Sequence, residues 1–295
     1  MAERALQYAD TKTLTAEAQY TLGRAYQAQG DLPNAFNHYG AAVMARPDFI
    51  PAALASAHLL LASEIPVAIN AYENALTKQP NSIEILVALA AVHSHNAFAA
   101  TSEKDVLIES DKAKEKYEEV LRLLAAVNQP DFQAPSGTSI GRIQAAGQDS
   151  ALYIEVARLW AGTDSARSLK AYQTSMSVRQ DAGEDVPAAL LNNIGCLLYG
   201  KKNASEAQHF FQEALKASQR DQAKQDVEAA LTTSTYNLAI ASEAVGETET
   251  ATELYKQILL RHPEWFEGSQ SNVMSLFLAK CYVRKQPKLV LGYST

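Results

Sequence analysis

Residues 192–215 read NNIGCLLYGKKNASEAQHFFQEAL, and they decide the fold. Apolar residues recur at helical spacing on both sides of GKKNAS, which describes a helix, a short turn and a second helix. Gly195 lies inside the first of these helices, where glycine costs roughly 1 kcal/mol relative to alanine. Two other stretches share the pattern. Residues 22–47 carry Leu22-Gly23, then Ala35, Tyr39 and Ala42; residues 238–263 carry Leu238-Ala239, then Ala251, Tyr255 and Ile258. In all three a small residue precedes a second-helix alanine by 12 positions, and an aromatic follows that alanine four residues later, Phe211 after Ala207 in the quoted stretch.

Small residues at matched points let two helices approach closely, and an aromatic one turn further along the same face fills the wedge between neighbouring hairpins. Gly23, Ala35, Tyr39, Ala68, Tyr72, Gly195, Ala207, Phe211, Ala251 and Tyr255 are therefore expected to be packing residues. The arrangement resembles the tetratricopeptide repeat (TPR), a helix–turn–helix unit of about 34 residues. Three further units depart from it. Residues 49–82 keep Ala68, Tyr72, Ala75 and Pro80 but lack the aliphatic–glycine pair. In residues 83–124 the interval from Ala90 to Ala113 is 23 rather than 12, an insertion of 11 near HSHNAFAATSEKD. In residues 150–180 Ser168 and Ser175 replace the second-helix alanines around Tyr172.

This predicts an all-α chain, an α-solenoid (right-handed superhelix) of about six TPR units. The expected divisions are 1–15, the end of a preceding repeat; 16–124, three units; 125–149, an irregular loop rich in Pro, Gly, Ser and Gln; 150–265, three more units; and 266–295, a non-TPR tail. That tail reads either as a capping helix or as an appended segment. An opening on the end of a second helix suggests a piece excised from a longer array.

Charge is uneven. The chain carries a formal -7, but residues 266–295 hold four basic groups and one acid, which leaves 22 basic against 32 acidic residues, -10, in 1–265. An acidic body argues against gripping nucleic-acid phosphates. Two cysteines without framework spacing point to a reducing compartment. Neither a signal peptide nor an apolar stretch of about 18 residues is present, so a chain neither secreted nor membrane-inserted is expected.

Chemistry-bearing motifs are missing: there is no phosphate-binding glycine loop and no H-E-x-x-H. Gly137 and Gly141 have no strand before them. His93 and His95, two apart on a helix, face different ways and read as solvated residues rather than metal ligands. Cys196 reads as a small buried filler. No catalytic residue, metal or cofactor is expected. What the array offers is a groove lined mainly by first helices. Its candidates are Tyr20, Arg24 and Gln27; Asn192, Asn193 and Tyr199; and Tyr236, Asn237 and Glu243. Asn193 and Asn237 share a repeat position, where an amide either meets an extended peptide backbone or satisfies neighbouring helix ends.

LTAEAQYTLGRAYQAQGDLPNAFNHYGAAV, DVPAALLNNIGCLLYGKKNASEAQHFFQEAL and TTSTYNLAIASEAVGETETATELYKQILLRHPEW together resemble the TPR scaffold subunit of the RNA polymerase II-associated factor (PAF) complex, the Ctr-nine family. The resemblance covers roughly residues 1–265. It implies a non-catalytic nuclear scaffold for transcription elongation and co-transcriptional histone modification. Its implied partners are the complex's namesake subunit and a parafibromin-type subunit and, indirectly, RNA polymerase II, with no direct nucleic-acid or membrane contact. The insertion, the loop at 125–149 and the tail depart from the pattern. Two other readings stand beside it: a cytosolic TPR adaptor of the chaperone-clamp kind, disfavoured by the acidic body, and an array presenting substrate to an enzyme domain elsewhere.

Overall fold

A computed structural model describes residues 2–136, 138–220 and 227–261; the expectations for the tail at 266–295 lie outside them. The described residues form fourteen helices and no strand. One compact unit runs from Met1 to Gln148 and a second begins at Asp149. The first holds α1 (Ala2–Gln7), α2 (Lys12–Ala28), α3 (Leu32–Ala45), α4 (Ile50–Leu60), α5 (Ile65–Lys78), α6 (Ile83–Ala99), α7 (Glu103–Ala126) and α8 (Ile140–Gly147). The second holds α9 (Ser150–Trp160), α10 (Ser165–Asp181), α11 (Ala188–Gly200), α12 (Ala204–Arg220), α13 (Val227–Ala244) and α14 (Thr248–Arg261).

The hairpin turns follow from local sequence. After α2, Gly30 takes φ +79°, the Asp31 amide donates back to Tyr26 O, and the Asp31 carboxylate caps α3 by accepting from Asn34 N at 3.2 Å. Gly246 does the same after α13 at φ +91°, with Glu247 N donating to Ser242 O. Between α11 and α12 the residue in this left-handed conformation is Lys202 (φ +62°), and Asn203 N donates to Leu198 O. Glycine enters that region without a Cβ penalty and lysine does not.

Close approach within a hairpin is visible at the glycines. A Cβ on Gly195 would lie 2.5 Å from Cε1 of Phe211, and one on Gly23 would lie 2.6 Å from the Tyr39 ring and 3.2 Å from Ala35 O. The aromatic therefore packs directly over the glycine of its own hairpin, a tighter arrangement than the wedge between neighbours expected from spacing. Tyr39, Tyr72, Phe211 and Tyr255 are buried, as are Ala35, Ala68, Ala207 and Ala251. Where serine replaces alanine the hydroxyl is used: Ser168 Oγ donates to Ala157 O at 2.7 Å and Ser175 Oγ to Ser150 O at 2.9 Å, each joining α10 to α9.

The insertion makes no loop. Relative to the α2–α3 hairpin, α6 runs four residues further past its small residue and α7 starts seven residues earlier before Ala113, while the connection stays at three residues. Four and seven residues are about one and two helical turns, so the faces keep their register. His93, expected to be solvated, is buried at 3% exposure, and its Nδ1 lies 2.7 Å from Glu109 Oε2 across the lengthened hairpin. Burial alone would raise the Glu109 carboxyl; hydrogen bonds from His93 and Lys112 outweigh it and hold the group below its ordinary range. The segment 125–149 is also more ordered than its composition suggests. It contains α8, capped by Ser139 and packed on α6 and α7, with Ile143 fully buried. A helix of eight residues is too short to announce itself by periodicity.

Candidate functional site

Three first helices of the first unit each present one stripe to a common cavity of about 480 Å³. From α2 come Tyr20, Arg24 and Gln27; from α4 come Pro51, Leu54, Ala55 and His58; from α6 come Glu84 and Ala88. Steps of three and four residues keep each set on a single helix face. Tyr39 and Tyr72 from the second helices also line the cavity, and α8 adds Arg142. The structure thus brings the first three sequence candidates to one cavity. Arg142 was missed, because nothing in GRIQAAG marks the helix that carries it.

Side-chain partners sort these residues. Gln27 Oε1 accepts from Tyr39 Oη at 2.6 Å, and the equivalent Glu243 accepts from Tyr255 Oη at 3.4 Å. This position, eight before the second-helix alanine, supports the packing tyrosine of its own hairpin. Tyr20 is half-buried, with its ring centroid 5.7 Å from that of Tyr39 and 5.5 Å from that of Phe49. Arg24 is exposed and forms no ion pair among the described residues, whereas Arg142 Nε meets Glu84 at 3.4 Å. Burial raises the Tyr39 hydroxyl pKa, with Tyr20 adding to the effect and Arg24 opposing it; burial pushes Tyr72 up to about 12. Both hydroxyls are therefore neutral donors at physiological pH.

The second-unit candidates are placed differently. Tyr236 is buried at 1% exposure and Asn237 at 6%, so neither side chain lines an open surface. Asn237 Nδ2 donates to Asn192 Oδ1 at 2.7 Å, and both amides approach Cys196 Sγ, at 3.7 and 3.8 Å. Asn193 donates to Tyr172 Oη at 3.3 Å. These amides satisfy neighbouring helices. Pairing the amides with one another and with Tyr172 avoids the penalty of a buried unpaired polar group. Burial pushes the Cys196 thiol up to about 12, consistent with filler rather than nucleophile. Tyr199 and Glu243 remain exposed.

No group of three metal-ligating side chains occurs among the described residues, and none of their helices is long and apolar enough to cross a membrane. Within this all-helical array of hairpins, residues 188–220 match the tetratricopeptide repeat family model. Among solved structures, the chain is similar to YrrB, described as a TPR protein with an unusual peptide-binding site, at TM-score 0.55 and 14% identity, covering 82% of this chain and 97% of that one. Pseudomonas aeruginosa PilF gives TM-score 0.53 at 14% identity, over 93% of this chain and 99% of that one.

At the level of sequence, the chain is 26% identical to the RNA polymerase-associated protein CTR9 of Caenorhabditis elegans, over 91% of this chain and 22% of that protein. It is 27% identical to tetratricopeptide repeat protein 1 of Schizosaccharomyces pombe, over 91% and 23%, and 22% identical to the CTR9 homolog of Arabidopsis thaliana, over 84% and 23%. The chain spans about a fifth of the length of these relatives.

Proposed function

We propose that this chain is a peptide-docking segment of a TPR scaffold subunit in the RNA polymerase II-associated factor complex. In this reading it acts in the nucleus, binds sister subunits and supports elongation and histone modification without catalysis. The observation that carries the docking role is the cavity shared by α2, α4 and α6. Its stripes of Tyr20, Leu54 and Ala88, with polar groups between them, offer an extended chain an apolar floor and hydrogen-bond partners. The likeness to CTR9 proteins over most of the chain supports the complex to which the docking belongs.

Co-purification tests it. Tyr20→Ala combined with Leu54→Asp should weaken recovery of the namesake and parafibromin-type subunits while helical content is retained. Undiminished recovery with an intact helical melt would remove the first-unit groove from the account. Tyr236→Ala is a poor probe of docking, because its ring is buried and its loss would act through stability.

A further inference from the structure

We propose that the ligand of the first-unit cavity is an extended peptide segment that places an acidic side chain, flanked by apolar ones, against Arg24. This deepens the reading of the cavity as a peptide groove and rests on it. The first unit as a whole is acidic, with eleven basic against sixteen acidic residues in 1–148. The cavity reverses that balance. Its ionisable lining groups besides the three tyrosines are Arg24, Arg142, His58 and Glu84, and the single carboxylate is held by Arg142 at 3.4 Å.

Arg24 is left as an exposed cation without an ion-pair partner among the described residues, one helical turn from Tyr20 and three residues from Gln27 on the same face of α2. The Gln27 carbonyl oxygen already accepts from Tyr39 Oη, and the NH₂ group of that side chain adds donor capacity beside Arg24. Guanidinium and amide donors beside an apolar floor of Tyr20, Pro51 and Leu54 favour a carboxylate-bearing, partly apolar strand. A polyanion such as RNA would be repelled by the surrounding acidic unit, whereas one or two carboxylates on a peptide can be seated locally.

The probe is a synthetic library of short acetylated and amidated peptides, affinity-selected on the full chain and on its Arg24→Glu and Leu54→Asp variants. Capped ends remove any terminal carboxylate. Helical content of each variant is measured alongside; Arg24 is exposed, so its reversal should leave the fold intact. The wild-type chain should enrich Asp and Glu several-fold next to apolar residues. Arg24→Glu should abolish that enrichment and favour Lys and Arg instead, and Leu54→Asp should lose the apolar preference. Peptides enriched in a Leu54-dependent manner with no acidic bias overturn the inference and leave the groove reading standing. Selection that is indifferent to both substitutions overturns both. Arg24-dependent binding of single-stranded RNA tighter than that of the selected peptides would also overturn the proposal.

Discussion

Replacing Gly195 by alanine sets two measurable effects against each other. Alanine in a helix interior is favoured over glycine by about 1 kcal/mol. The new methyl would lie 2.5 Å from Phe211 Cε1, and ordinary contact begins near 3.4 Å, so the ring or the helix must move by about 1 Å. Phe211 is only 2% exposed, and displacing a ring in a close-packed interior costs about 1–3 kcal/mol. The net expectation is a loss of about 1 kcal/mol.

Gly40 supplies the control. It lies within α3, and a Cβ there meets nothing within 4 Å, so Gly40→Ala should stabilise by about 0.5–1 kcal/mol. A second control changes the neighbour: in a Phe211→Leu background the clash is removed, and Gly195→Ala should then become stabilising. Native-state hydrogen exchange at the α11 and α3 amides reads both effects locally, which suits an array whose hairpins open in part. Stabilisation by Gly195→Ala in the otherwise unchanged chain would refute the claim that the missing side chain is what admits Phe211.

Three further outcomes are expected. Lys202→Gly should stabilise the chain by about 1 kcal/mol, because Lys202 sits at φ +62° where its counterparts are Gly30 and Gly246; urea denaturation checks the sign. With its thiol near 12, Cys196 should alkylate at pH 8 on the order of a thousandfold more slowly in the native chain than in denaturant, measured by residue-resolved mass spectrometry. Glu109→Gln removes a carboxylate held below its ordinary range. A depressed group contributes stability above its unfolded pKa and loses it as pH falls through the folded one. The variant should therefore be less stable than the parent at neutral pH, and the gap should close below about pH 4; an equal gap at pH 3 and pH 7 would rule out the ionic contribution.

Spacing carried most of the fold. A small residue, an alanine 12 positions on and an aromatic four beyond that specify a hairpin because helical geometry converts separations into faces. The groove was half legible for the same reason. Tyr20, Arg24 and Gln27 fall on one side of α2 whatever surrounds it, and they meet in one cavity. Arg142 was not legible, since α8 gains its place from Ile143 burying itself against the preceding hairpin rather than from any periodicity of its own.

Equivalent repeat positions mark the limit. Tyr20, Asn192 and Tyr236 all lie 15 residues before their second-helix alanines, so the sequence assigns them one role. In the fold Tyr20 lines a cavity, Asn192 accepts from Asn237, and Tyr236 is enclosed. What the amino-acid sequence settled alone was the hairpin and the close approach of its two helices, because those depend on residues a few turns apart on two joined helices; that the aromatic covers its own hairpin's glycine was not in the spacing. Which faces stay open, which amides find each other and which histidine is buried were decided by tertiary structure, because burial is a property of whatever packs on top.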